Sequence, residues 1–499
     1  MILKQHIFLS VAIITLFLSI IIFFFYLTSL IYDINWPGFF WLITISLLLF
    51  FTFKFQLKCK NFDLFHPLVS SALFFIIPMV LIKGTYLVLG GHTSIDLMTN
   101  EKFIVNLTLF YFFLGWLALT IGFYSPFGQY LAYRIKLPKF FKKEHYLKLS
   151  SLVIIFIIGC LCIIILAQKK AFGAPLTDYI EDLTFVSTVR PFIQWVYMSL
   201  FLISFEKSRR NHKFKWKLLL TTFFIIAIIF SFLSGWRHQI FWIFLLIIAG
   251  SYYSQYPKIK WKRLIILFLI SFIALSFSML VITEYRLIRY QSFRYEPLSL
   301  YEIHQTLIVT INQIRQVHLF ENIKLIFDRL FERLNSFDLL AITLAKAEEL
   351  KAMEEAIGIK NNIFKEIILN VIPRTIWPDK PILSDFGLLF SWLYLGTPYL
   401  TWSGPSVIGD LYRNFGFLGV LFGMIILGIY LRFLYDSLIK IGKIEPLKAL
   451  LYFFLYNSIN WEGQYSSFIT SGSRALIAFL VLVWFLYITR GLVYVYKKA

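Results

Sequence analysis

Apolar residues run along this chain in long blocks, not in the short alternating patterns of an amphipathic soluble fold. Blocks of about 18 or more apolar residues read as membrane-spanning helices. The pattern places helices at about 7–31, 38–54, 67–89, 103–124, 150–168, 191–206, 218–234, 239–255, 264–283, 416–435, 447–461 and 474–494. The expectation is an all-α, polytopic membrane protein with about twelve spans and one large extracytoplasmic loop that itself contains helices. The first block lacks a small-residue cleavage site and reads as a retained span. The chain then divides into spans one to nine (1–284), the loop (285–415) and spans ten to twelve (416–499).

Within the loop the periodicity changes. In "ENIKLIFDRLFERLNSFDLLAITLAKAEELKAMEEAIG" apolar residues recur every three to four positions, predicting a helix that Gly358 stops. Two roles stay open for it: a lid packed across the membrane domain, or an interfacial helix lying against lipid. Beyond it comes "IPRTIWPDKP". Three prolines remove backbone donors and fix φ, so this stretch is a stiff turn, neither helix interior nor central strand. Trp377 within it suits a membrane interface.

Composition agrees: 59% of residues are hydrophobic and 15% charged, against about a quarter charged in soluble domains. The net charge of +21 orients the chain. With both termini in the cytoplasm, the basic clusters 134–148, 207–217 and 258–263 all fall inside, as the positive-inside rule requires. These clusters sit between spans without a recognisable binding module, so a nucleic-acid partner is not expected. Three cysteines without CxxC, and eight histidines without HExxH, imply no disulfide framework, protein-held metal or cofactor.

The loop holds eight Arg and six Lys against fourteen Asp and Glu. Its arginines are therefore not topology signals; they need partners in the fold or an anionic ligand. Four outward-facing stretches gather the polar residues. "SGWRHQI" carries Arg237 and His238 in a short turn. "EYRLIRYQSFRYEP" carries Arg286 and Arg289 three apart, which reads either as a snorkelling belt or as a phosphate clamp. "IPRTIWPDKP" and the block after it carry Arg374, Trp377, Asp410 and Arg413, and "NWEGQYSSFITSGSRAL" carries Glu462 and Arg474. One carboxylate and several arginines at a membrane surface suit a phosphorylated lipid, whose diphosphate leaves well once cations stabilise the developing charge.

In their order and spacing, "SGWRHQI", "IPRTIWPDKP", "SGPSVIGDLYRNFGFLG" and "NWEGQYSSFITSGSRAL" resemble the Wzy-type O-antigen and repeat-unit polysaccharide polymerases. The resemblance implies a GT-C-like, inverting, metal-independent glycosyltransferase in the bacterial inner membrane, with its large loop periplasmic. It would transfer a glycan en bloc from undecaprenyl diphosphate to a second undecaprenyl-diphosphate-linked oligosaccharide. Lipid bilayer and a chain-length regulator protein are the further partners it implies. Glu462, Arg237 and Arg374 would be the catalytic group. Arg286, Arg289, Arg413, Arg474, His238, Asp410 and Trp377 would contact substrate. An arginine-x10-glycine spacing found in some members is missing around Arg237, Arg374 and Arg413. An O-antigen ligase, acting on lipid A-core, shares the expected fold and donor. A flippase is a third reading, and it would place charges deep in the spans, where only Lys83 stands.

Overall fold

The computed structural model describes residues 35–58, 62–89, 101–135, 145–169, 183–209, 214–234, 237–256, 336–359, 363–372, 376–377, 386–396 and 404–494, with isolated positions at 138 and between 266 and 312. The spans expected at 7–31 and 264–283 lie outside this set or nearly so.

The described chain is helical. In order it comprises α1 (Trp36–Lys58), α2 (Pro67–Val88), α3 (Glu101–Tyr124), α4 (Pro126–Arg134), a short strand β1 (His145–Leu147), α5 (Leu149–Gln168), α6 (Phe185–Arg209), α7 (Phe214–Ser234) and α8 (Arg237–Gln255). The loop contributes α9 (Ser336–Lys346), α10 (Lys351–Ile357), α11 (Ile363–Val371) and α12 (Phe386–Leu395). The chain closes with α13 (Ser406–Tyr435), α14 (Pro446–Asn457), α15 (Ser467–Ile488) and β2 (Leu492–Tyr494). Eight of these helices are long and apolar enough to cross a membrane: α1, α2, α3, α5, α6, α7, α13 with its continuation to Lys440, and α15. The block expected to span at 447–461 forms the 12-residue α14, which rises about 18 Å, short of a bilayer core of about 30 Å. The chain then leaves helical geometry before α15.

Prolines and glycines explain the irregularities. Pro67 opens α2, where a missing N–H costs nothing. Pro78 deeper in the same helix cannot donate, and the turns from Ala72 to Ile82 widen to π geometry around it. In α13, Gly416 adopts φ 65, ψ −152, a backbone region open only to glycine, and kinks the helix there. The sequence pattern had started the tenth span at this residue. Helices α3 and α13 meet backbone to backbone at Gly122 and Gly428: a Cβ on Gly428 would lie 2.7 Å from the Phe123 nitrogen. Without a strong hydrophobic drive between helices in lipid, such close approach is what holds them together. Leu109, Phe112, Trp116, Val420, Met424 and Leu427 are buried in the surrounding core.

The loop docks on one end of this bundle. Every residue of α9 from Ser336 to Leu344 is buried, and α9 packs on α2, α3 and α13. Of the two roles open for the loop helix, the structure gives this segment the lid. The first part of the helix expected there, 321–335, lies outside the described residues; further on, turns at 347–350 separate α9 from α10, which ends on Gly358 in the left-handed region at φ 75. Leu339, Ala341 and Ile342 form a second small core with Ile104, Ile359, Phe390 and Tyr394.

Candidate functional site

The loop, the first turns of α13 and the connection before α15 converge on one polar cluster. Asp410 and Arg413 lie one turn apart on α13, each 1% exposed. Arg413 Nη2 donates to Asp410 Oδ1 at 2.9 Å, and Nη1 donates to Glu354 Oε1 at 3.1 Å and to the Ile359 carbonyl at 2.8 Å. Tyr394 Oη donates to the same Glu354 oxygen at 2.9 Å. Asp410 Oδ2 accepts the Tyr465 N–H at 2.9 Å. Arg413 thus ties α10 to α13, and Asp410 ties α13 to the connection before α15. The sequence reading placed these two residues among the substrate contacts. The structure places both in the interior, with their charges compensated by one another and by Glu354.

Beside them stands a carboxylate that the sequence reading passed over. Glu366 on α11 is 4% exposed. Its Oε1 accepts Gln464 Nε2 at 3.0 Å and its Oε2 accepts Ser466 Oγ at 2.6 Å. Burial pushes its pKa up from 4.5 to about 7, and the nearby Asp410 charge adds to that rise. The Ser466 hydrogen bond, the Arg413 charge and the Gln464 hydrogen bond pull the other way and only partly offset it. Glu354, Asp410 and Glu366 gather around one guanidinium, that of Arg413, which donates directly to the first two. A carboxyl near neutrality can both accept and return a proton at ordinary pH. The available signal was an acid inside an apolar run, "IFKEIILNV".

Glu462, the carboxylate chosen from sequence, sits half-buried in the same connection as Gln464 and Ser466. That connection is packed firmly: the Val407 N–H donates to the Trp461 carbonyl at 3.1 Å, and Trp461 stacks on Phe75 with ring centroids 5.3 Å apart. Arg474 follows on α15 with an exposed side chain, and Trp377 is 39% exposed. Arg237 is the first residue of α8 and His238 the second; their side chains, and all of Arg286, Arg289 and Arg374, lie outside the described residues. Among the described residues no three His, Cys, Asp or Glu side chains gather as metal ligands.

The opposite end of the bundle holds a buried polar cluster of its own around Asp63. Asp63 is 2% exposed; its Oδ1 accepts the Phe65 N–H at 2.9 Å and its Oδ2 accepts Tyr435 Oη at 3.0 Å. Burial raises its pKa to about 6 against these hydrogen bonds and those of Tyr252 and Tyr253. His66, next to it in the turn before α2, is held neutral: burial, then the Arg432 and Lys440 charges, lower its pKa to about 3. This cluster joins the α1–α2 connection to α8 and α13, and it is the structural counterpart of the loop-end cluster. Compared with known proteins, the chain matches no family model, no curated protein and no solved structure.

Proposed function

We propose that this chain is a multi-span repeat-unit polysaccharide polymerase, with both termini cytoplasmic and the docked loop outside. It joins undecaprenyl-diphosphate-linked oligosaccharides at the outer leaflet of a bacterial inner membrane. The observation that supports this reading best is Glu366. A carboxyl with a pKa near 7 is carried by the large loop and bonded to Gln464 and Ser466. Those partners belong to one of the four stretches that carry the resemblance.

In the proposed reaction an acceptor sugar hydroxyl attacks the anomeric carbon of the donor glycan. The new C–O bond forms as the bond to the diphosphate breaks, and undecaprenyl diphosphate leaves with the electron pair. The hydroxyl proton passes to Glu366, whose pKa of about 7 suits a general base at ordinary pH. Glu462, on the same connection, positions the acceptor. Arg474, with Arg237 and Arg374, stabilises the charge that develops on the diphosphate. Deleting the gene tests the reading against a ligase. Lipopolysaccharide capped with a single repeat unit is the expected product, whereas unattached long chains would assign the protein to ligation.

A further inference from the structure

Helix α11 carries two unlike faces. Glu366 and its neighbours Ile363 and Leu369 are buried against the bundle. On the other side Phe364, Ile368 and Val371, spaced four and three apart, are 66%, 58% and 40% exposed. Ile376 and Trp377, just after the helix, are 75% and 39% exposed. The exposed Lys365 flanks this apolar stripe. A water-facing helix would not present three large apolar side chains in register.

The stripe continues onto a membrane span. The Phe364 and Phe415 rings lie 6.1 Å apart. Phe415 begins a row of exposed apolar residues, Leu418, Phe422 and Ile426, that runs down one side of α13 at the three-to-four spacing of a single helix face. From the kink at Gly416 to Lys440 the helix rises about 36 Å, enough for a hydrocarbon core of about 30 Å. Phe415 and the α11 stripe beside it therefore stand at the membrane boundary. We infer that α11 is an interfacial foot whose Phe364–Ile368–Val371 face lies in the bilayer, continuous with the lipid-facing side of α13. Exposed Lys365 would then sit at headgroup level. Glu366, on the opposite face, is set directly behind this foot, so a lipid-anchored molecule reaching it from the membrane plane passes α11. The inference concerns the surface alone and stands apart from the proposed activity.

The test is nitroxide accessibility in liposomes. Cys59, Cys160 and Cys162 are replaced, and Phe364→Cys and Ile368→Cys are labelled one at a time. Both sites are exposed, so the substitutions leave the core intact, and a monodisperse elution profile checks this. Oxygen, which partitions into lipid, should relax both labels more than a water-soluble nickel chelate does. Greater relaxation by the nickel complex at both sites would place the face in water. Low accessibility to both reagents would mean that another protein, or a second copy of this chain, covers it. Either result overturns the inference.

Discussion

Lys83 Nζ lies 3.2 Å from Asp338 Oδ2, and both side chains are shut away from solvent. One belongs to the membrane helix α2 and the other to the lid helix α9. The pair fastens the loop to the bundle at the residue that the sequence marked as the odd charge within a span. Breaking a buried pair by removing one partner leaves the other charge desolvated, which costs about 3–5 kcal/mol. Lys83→Met should therefore lower the thermal midpoint in detergent and speed proteolysis of the loop. The double variant Lys83→Met/Asp338→Leu should recover part of the loss. An unchanged midpoint in the single variant would show that the pair does not hold the lid.

Arg413 and Arg474 are expected to respond differently to substitution. Arg413 is buried and paired with Glu354 and Asp410 inside the protein, so Arg413→Lys, which cannot form the same fork of hydrogen bonds, should destabilise the fold by about 2–4 kcal/mol. In the proposed reaction Arg474, on α15, stabilises the leaving diphosphate, so Arg474→Ala should abolish chain extension while the protein still inserts in the membrane. Thermal denaturation and a product gel on the same preparations check both halves.

The α3–α13 contact leaves no room for a side chain at its closest points. A Cβ at Gly428 would press on the Phe123 nitrogen and the Gly122 backbone, and one at Gly122 on the Ile425 carbonyl. Gly428→Ala should cost about 1–3 kcal/mol, the usual price of overpacking. Gly358→Ala, whose Cβ would meet nothing, should lose only about 1 kcal/mol for its left-handed backbone. Melting temperatures of the two variants would rank them.

Glu366 predicts a pH signature. Its folded pKa, about 7, lies above its ordinary value of 4.5, so the folded state binds the extra proton between those limits. The stabilisation is complete below pH 4.5 and is lost as pH rises towards 7, by on the order of 3 kcal/mol. Asp63, raised to about 6, acts in the same direction, and His66, lowered to about 3, in the opposite one. The diagnostic is therefore a difference. Wild-type stability relative to Glu366→Gln should fall between pH 4.5 and 7 and then level off, as read from denaturation midpoints across pH. A difference that stays flat would remove the shifted carboxyl. In the proposed reaction the dependence runs the other way, because a base must be ionised: chain extension should rise through pH 7 and be lost in Glu366→Gln.

The eight long apolar helices were legible because burial in lipid demands unbroken apolar runs, and Gly358, which ends the loop helix α10, and Gly416, which kinks α13, stood out for backbone reasons that need no partner. The large loop was legible only as helical. Periodicity in α9 shows one face, whereas Leu339, Leu340, Ala341 and Ile342 are consecutive and all buried, because α2, α3, α13 and α12 surround them. The roles of Arg413 and Asp410 were hidden for a related reason. A polar residue near a span end looks the same whether it meets a ligand or an acid from elsewhere in the chain. Glu366 was hidden because its pKa is set first by burial and then by the Asp410 charge, against the Ser466 and Gln464 hydrogen bonds, and tertiary packing alone creates all of these.

The most direct test of the proposed activity is reconstitution of the purified protein in liposomes with an undecaprenyl-diphosphate-linked repeat unit. The proposal predicts a ladder of glycans lengthened by whole repeat units, with undecaprenyl diphosphate released at each step, and no ladder from Glu366→Gln. Glycan that crosses the bilayer without lengthening, or an unchanged ladder from Glu366→Gln, would contradict it.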